Sequence, residues 1–296
     1  MNGALVVDKP GGLTSHDVVA RVRRILDERS VGHLGTLDPM ATGVLPLLVG
    51  RMTRLAQFYQ GCEKTYEGEI RLGFATDTYD AEGAPTGPAV EWRGTLEQVR
   101  EAARRFVGSI EQVPPPFSAK KVAGVPAYKL ARKHKPVELK PVTVEIREFE
   151  ITGLEGGRAS FRTRVTSGTY LRSVAHDLGR DLGVGGHLAR LRRTAVGEFA
   201  LEDARTLEAL EEATAAGEVE ALMVHPRRML PEFPCVSANA ESATRIRNGN
   251  AVNLPELSRA KQVKVFAGQS DLIAIASRVA GTLFHPKVVL AGRAGG

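Results

Sequence analysis

Asp38 stands within the stretch Gly32-His33-Leu34-Gly35-Thr36-Leu37-Asp38-Pro39-Met40-Ala41-Thr42-Gly43, where neighbouring residues restrict the backbone at some points and free it at others. The glycines permit sharp turns and close backbone approach. Pro39 biases Asp38 away from the helical region and toward an extended conformation. An ionised carboxylate held on such a backbone can act as a nucleophile or as a base. An aspartate in a glycine-rich loop is also a frequent turn former that bonds its own backbone. The stretch alone leaves both readings open.

Other residues could complete a site. In Ser167-Gly168-Thr169-Tyr170-Leu171-Arg172, the arginine opens a helix that follows a strand. If it reaches the Asp38 loop, opposite charge and hydrogen bonding keep the carboxylate ionised at neutral pH; a surface salt bridge is the plainer alternative. Tyr66 lies on the apolar face of a strand yet has a polar tip, which suits stacking on a base as well as packing in a core. Gly183-Val184-Gly185-Gly186 follows a helix, not a strand, and lacks both GxGxxG and GK[ST], so it reads as a helix terminus and a turn. The 7 histidines show no HExxH or paired spacing for a metal. Cys62 and Cys235 are the only cysteines and neither belongs to a CxxC. A structural zinc, a disulfide framework and an oxidising compartment are therefore not expected, and a cytoplasmic setting fits best.

Several elements must position these residues. Ala4–Val7 reads as a strand ended by Asp8-Lys9-Pro10-Gly11-Gly12. Thr14 and Asp17 have capping-box spacing, and Val18, Val19, Val22, Ile25 and Leu26 predict a helix over about Asp17–Glu28. Thr65–Phe74 alternates as a half-buried strand with Tyr66, Gly68, Ile70, Leu72 and Phe74 on one face. Thr76–Pro88 reads as a loop, and Thr95 with Gln98 opens a second helix. Two strands flank the turn Glu155-Gly156-Gly157, a helix spans Arg172–Leu182 up to Gly183, and Leu207 and Leu210 mark another. The prolines in Met229–Pro234 suggest a boundary, beyond which Gln262–Ala267, Leu272–Val279 and Lys287–Leu290 look like short strands. Strands and helices without a regular alternating beat predict an α+β protein with mixed or antiparallel pairing.

The 296 residues carry 40 Lys and Arg against 34 Asp and Glu, a formal net charge of +6. Between Phe117 and Lys140 stand Lys120, Lys121, Lys129, Arg132, Lys133, Lys135 and Lys140 against the single acid Glu138, so the whole excess lies in one segment. Charge alone is consistent with a solvated face, and clustering of this kind also suits a surface that tracks phosphates. The start of the chain, MNGALVVDKPGG, resembles no signal peptide, and no apolar window approaches the length that spans a bilayer, so no membrane association is expected.

Taken in order, LVVDKPGGLTSHDVV, VGHLGTLDPMATGVLPLLVG, KTYEGEIRLGFATDTYDAEG, VPPPFSAKKVAGVPAYKLAR and SGTYLRSVAHDLGRDLGVGGHLARLRR resemble the TruB family of tRNA pseudouridine synthases, across roughly residues 4–196. Members of that family isomerise the uridine at tRNA position 55, in the T loop. The resemblance implies a pseudouridine synthase fold: a mixed, largely antiparallel sheet core with flanking helices and a basic RNA-binding insertion at about 113–140. It implies a catalytic domain over 1–230 and a small β-rich domain like PUA over 233–296. Residue by residue, Asp38 matches the catalytic aspartate, Tyr66 the tyrosine that stacks on the target base, and Arg172 the arginine paired with the carboxylate. Tyr170 and Leu191 match further active-site positions, and His33 matches the histidine that enters the T loop. Lys120, Lys121, Lys129, Arg132 and Lys133 belong to the insertion that contacts RNA. Lys9 and Pro10, with Gly35 and Pro39, match motif positions of structural role. The match departs at Leu34, where members often carry a small residue or threonine.

The implied reaction breaks the glycosidic bond of uridine, turns the base over and joins its carbon 5 to the same sugar carbon. No atom is gained or lost, so no cofactor and no metal are expected. The target must leave its stack, with His33 filling the vacated space. The resemblance is to the bacterial stand-alone type, which implies tRNA as partner, no obligatory protein partner and a monomer. A glycosylase or hydrolase using Asp38 and a non-catalytic tRNA-folding factor are the rival readings.

Overall fold

The structure is a computed structural model that describes residues 1–117, 121–122, 125–126, 139–256 and 258–290, the two short pieces by their backbone only. Along the chain the strands are β1 (Gly3–Lys9), β2 (Val31–His33), β3 (Thr42–Val49), β4 (Lys64–Leu72), β5 (Gly108–Gln112), β6 (Lys121–Val122), β7 (Val125–Pro126), β8 (Val142–Glu155), β9 (Arg158–Val165), β10 (Gly186–Val196), β11 (Phe199–Ala200), β12 (Ala204–Arg205), β13 (Cys235–Ala238), β14 (Val252–Asn253), β15 (Gln262–Ala267), β16 (Asp271–Ala280) and β17 (Leu283–Val289). The α-helices are α1 (Ser15–Ile25), α2 (Leu96–Arg104), α3 (Leu171–Asp181), α4 (Leu207–Ala215) and α5 (Ala240–Arg247). The chain divides into two compact units: Met1–Asp38, Val44–Gln60 and the chain from Glu198 onward; and Pro39–Gly43 with Gly61–Gly197.

In the first unit, β1 is buried at every residue except Asp8, the pattern of a strand covered on both faces. It pairs in parallel with β12 and lies beside β3, on which β2 runs antiparallel with His33 opposite Leu47. Thr14 and Asp17 form the expected capping box. Because Thr14 is itself the cap, α1 begins at Ser15, two residues before the predicted start; it ends early, with Asp27 at φ 46° turning the chain. The C-terminal region forms a second sheet in the order β13-β15-β16-β17-β14. It also contains α5, which short-strand patterning did not reveal. Val236, Ile246, Val263, Val265, Ile273 and Phe284 build its core. The buried Lys264 donates to the carbonyls of Arg227 and Met229, tying β15 to the segment that precedes the sheet.

In the second unit, Thr42 and Gly43 of β3 pair in parallel with Arg192 and Arg193 of β10. The order then runs β10-β4-β9-β8-β5, all antiparallel. Antiparallel ladders thus dominate a mixed sheet, as the sequence led one to expect. Strand β4 keeps the predicted alternation but stops at Leu72, since Gly73 takes φ 113°. The predicted turn at Glu155-Gly156-Gly157 joins β8 to β9, with both glycines at positive φ. Helix α2 carries the Thr95–Gln98 capping box. Helix α3 ends as predicted, Gly183 adopting φ 74° just beyond it. Among the described residues no helix is long and apolar enough to cross a membrane.

Candidate active site

The Asp38 loop is pinned from α1. The hydroxyl of Ser15, a buried residue in the first turn, accepts from the Leu37 amide at 2.8 Å and donates to the Leu37 carbonyl at 3.2 Å. Upstream, the Leu34 amide donates to the Pro46 carbonyl at 2.9 Å, and Leu34 is buried. Asp38 therefore follows an anchored backbone and is itself half-buried. Gly35 takes φ 133°, which a side chain would resist. Its amide donates to Nδ1 of His33 at 3.3 Å. A ring nitrogen that accepts carries no proton, so the remaining N–H of a neutral His33 is on Nε2. Lys9 is fully buried, and its ammonium donates to the carbonyls of Pro10 at 2.8 Å and Leu13 at 2.7 Å. It braces the turn before α1, while Pro10 is exposed. Pro39 opens the second unit.

In that second unit Tyr66 and Leu191 share one face of the β4–β10 ladder. Tyr66 is opposite Arg193 and Leu191 is opposite Gly68, so tyrosine and leucine are diagonal neighbours. Both are buried, and Arg193 is buried completely. Gly68 has a packing reason: a Cβ there would come within 2.6 Å of the Arg190 carbonyl oxygen and the Phe161 ring. A cavity of about 450 Å³ opens at this part of the sheet, lined by Met40, Thr42, Glu67, Glu82, Arg190 and Leu191 among others. Its lining mixes the apolar Met40 and Leu191 with charged side chains of both signs, Glu67, Glu69, Glu82, Arg190 and Arg192, a wall that could hold a polar ligand by hydrogen bonds as well as by packing.

Arg172 and Tyr170 are set by the start of α3. Tyr170 occupies the N-cap position, and its side chain makes no cap bond. The buried Gln112 substitutes from β5: its carboxamide oxygen accepts from the Tyr170 amide at 2.8 Å and its NH₂ donates to the Tyr170 carbonyl at 3.1 Å. Ser173 donates to the Val113 carbonyl at 2.8 Å. The guanidinium of Arg172 donates to the carbonyls of Phe117 at 3.0 Å and Thr78 at 3.4 Å. It also lies 3.4 Å from the carboxylate of Asp80. Asp80 is held in turn, its Oδ1 accepting from the Thr78 hydroxyl at 2.6 Å and from the Glu82 amide at 3.1 Å.

The structure thus brings together Tyr66 with Leu191, and Tyr170 with Arg172. Lys120, Lys129, Arg132 and Lys133 lie outside the described residues, as does the side chain of Lys121, whose backbone pairs with Pro126. Asp80, Gln112 and Arg193 escaped the sequence reading. Asp77, Asp80 and Glu82 look alike as loop acids, and nothing local marks the one that is buried. Among the described residues no group of His, Cys, Asp and Glu could hold a metal ion.

Comparison with known proteins adds to this geometry. A family model described as "TruB family pseudouridylate synthase (N terminal domain)" matches residues 23–171, and one described as "tRNA pseudouridylate synthase B C-terminal domain" matches residues 172–230. The chain is 49% identical to the tRNA pseudouridine synthase B of Solibacter usitatus, over 98% of this chain and 100% of that one. It is 44% identical to the protein of the same name from Thermobifida fusca, over 98% and 99% of the two chains. Among solved structures, a chain of a Cbf5-Nop10-Gar1 complex superposes with a TM-score of 0.72 at 25% identity, covering 98% of this chain and 85% of its own.

Proposed function

The chain belongs to the TruB family of pseudouridylate synthases, an isomerase of uridine in tRNA, and we propose that Asp38, Tyr66 and Arg172 carry its reaction at position 55 of the T loop. The observation that carries this reading is the buried Arg172, fixed at the head of α3 by a carboxylate and two carbonyls. A guanidinium so restrained is an oriented cation in a low-dielectric setting, the preorganised kind that stabilises an ionised carboxylate.

Asp38 supplies that carboxylate, as nucleophile at the sugar carbon or as base beside it. The bond from the sugar to N1 of the base breaks, the base turns over, and a bond to carbon 5 forms. The hydrogen of carbon 5 then leaves as a proton, and N1 ends with one. Tyr66 stacks on the base through this sequence, and Tyr170 and Leu191 line its surroundings. Base–aromatic stacking contributes about 1–3 kcal/mol, which offsets the few kcal/mol that flipping costs. His33, presented at the end of β2, fills the space left in the loop. Lys120, Lys121, Lys129, Arg132 and Lys133 contact phosphates, and residues 233–296 form a short PUA-like RNA-binding domain beside a catalytic domain over 1–230. The enzyme works without a cofactor, as a monomer, and helps tRNA fold while it holds the T loop open.

Tritium release from tRNA labelled at uracil carbon 5, with the modified position mapped by sequencing, tests the reading. Wild type should release tritium without loss of the base, and Asp38→Asn should bind tRNA and release none. Free uracil in place of pseudouridine would establish a glycosylase. Binding and refolding without either product would establish a folding factor.

A further inference from the structure

The turn that carries Asp80 contains a backbone conformation its sequence does not favour. Tyr79 has φ 67°, in the left-handed region that crowds the Cβ of any residue but glycine. Its two neighbours face one cation: Nη1 of Arg172 donates to the Thr78 carbonyl at 3.4 Å and lies 3.4 Å from Oδ2 of Asp80. A left-handed residue between them reverses the chain, so the acceptors on either side of Tyr79 converge on the same nitrogen. Backbone bonds fix the rest of the turn: Leu188 donates to the Tyr79 carbonyl at 3.0 Å, and Ala81 donates to the Leu188 carbonyl at 3.0 Å.

None of those bonds restrains the Tyr79 side chain. His176 does. The two rings stack with centroids 3.8 Å apart and planes 16° from parallel. His176 is four residues beyond Arg172 in α3, on the same helix face one turn along. A single face of α3 therefore grips the turn twice, by Arg172 on its acceptors and by His176 on its ring. Nδ1 of His176 is buried and has no hydrogen-bond partner among the described residues. Burial also lowers the pKa of the imidazole below its ordinary value, against the raising influence of Asp177. The ring is thus a neutral, flat surface rather than an acid or a base. Asp177 and Arg180, the charges nearest the pair, are engaged with each other at 2.8 Å.

We propose that Tyr79 and His176 form a positioning clamp, in which ring stacking holds the left-handed turn and thereby sets the acceptors that orient Arg172 during isomerisation. The inference rests on the reading that Arg172 serves the reaction, and assigns to two further residues a role exerted through it. Tyr79→Ala keeps the unfavourable φ and removes the ring. It should lower kcat on a T stem-loop RNA by about tenfold or more while leaving KM within about twofold. His176→Ala should behave alike. Tyr79→Phe and His176→Phe preserve the stack and should run within about twofold of wild type. Tyr79→Gly relieves the backbone conflict and should recover part of the rate that alanine loses.

All variants are compared well below their melting midpoints, so that loss of fold is not read as loss of orientation. Arg172→Lys separates a role for Arg172 in the reaction from a role for the clamp behind it. Should it run at the wild-type rate, the site reading and the clamp fall together. Should it be slow while Tyr79→Ala and His176→Ala keep the wild-type kcat, the clamp alone falls. Equal losses in Tyr79→Phe and Tyr79→Ala, or a loss that appears wholly in KM, also overturn it.

Discussion

Arg172 and Asp80 form a buried ion pair, Nη1 to Oδ2 3.4 Å, with side chains only 7% and 6% exposed. Removing one partner from such a pair leaves an uncompensated buried charge, which typically costs about 3–5 kcal/mol. A hydrophobic pair of similar volume is often no less stable, so stability alone gives little reason to keep charges here. Retention of the pair is accounted for if the guanidinium must be present, and held still, for the chemistry.

Asp80→Asn isolates the charge. Asparagine can still accept from Thr78 and Glu82 through its remaining oxygen, so the turn is preserved while the pairing charge disappears. The expected outcome is a kcat lowered by about 10–100-fold with tRNA affinity changed less than about threefold, the pattern of an interaction made in the transition state. Single-turnover rates together with filter-binding titrations check it. An unchanged kcat would show that Phe117 and Thr78 suffice to orient Arg172.

Much of this site was legible in the sequence because its pieces are local. Pro39 and the glycines around Asp38, the Thr14–Asp17 box and the alternation about Tyr66 each act within a few residues. What stayed hidden depends on distant partners. Strand β10 reads GHLARLRRTAV, and its arginines disguise a central strand in which Leu188, Leu191 and the fully buried Arg193 point inward. Strand β5 is five residues of mostly polar sequence whose Gln112 is buried only because Tyr170, 58 residues away, uses both ends of its amide. Asp80 likewise becomes distinct from Asp77 only once α3 places Arg172 over it.

Gln112→Leu should show how far the head of α3 depends on that amide. The leucine fills similar volume but removes both hydrogen bonds from Gln112 to Tyr170, whose carbonyl still accepts from the Val174 amide; each lost bond typically contributes about 0.5–1.5 kcal/mol. Because Tyr170 and Arg172 lie within this turn, kcat should fall with stability. Gln112→Glu, which keeps the acceptor for the Tyr170 amide but not the donor, should lie between. Urea midpoints and rates measured on the same samples check the ordering; a destabilised Gln112→Leu with the wild-type kcat would show that Ser173 anchors α3 adequately by itself.

Stability should depend on the buried His187 and the half-buried His176 as pH falls. Burial holds His187 and His176 below the usual imidazole pKa. For His187 the hydrogen bond from Nδ1 to the Phe74 carbonyl opposes this only in part. In the unfolded chain both titrate near 6.5. Below that pH the unfolded state binds more protons than the folded one, so stability declines as pH drops and the loss is complete only below the folded values. Above about pH 7.5 neither contributes. The urea midpoint should therefore decrease between pH 7.5 and 5.5, and decrease less in His187→Asn, whose side-chain amide can still donate to Phe74. Equal slopes for the two proteins would assign the decline to other groups.

The chain's charge excess should make its RNA binding depend on salt. With +6 concentrated between Phe117 and Lys140, Lys120, Lys121, Lys129 and Lys133 should each neutralise a phosphate of the T stem-loop. Contacts of this kind release counterions, so affinity falls linearly on logarithmic axes as salt rises, with a slope of about 0.7–0.9 per contact. Replacing all four by alanine should flatten that slope by about 3–4 and weaken binding most at low salt. The effect should be nearly independent of base sequence, since phosphate contacts position the RNA without reading it. It should also appear in KM while kcat at saturating RNA stays close to wild type, because none of the four is assigned to the reacting base. An unaltered slope would remove the segment from the interface and return its charge to a solvated face. A fall in kcat with the slope unchanged would instead connect the insertion to Arg172 through Phe117, whose carbonyl that guanidinium already holds at 3.0 Å.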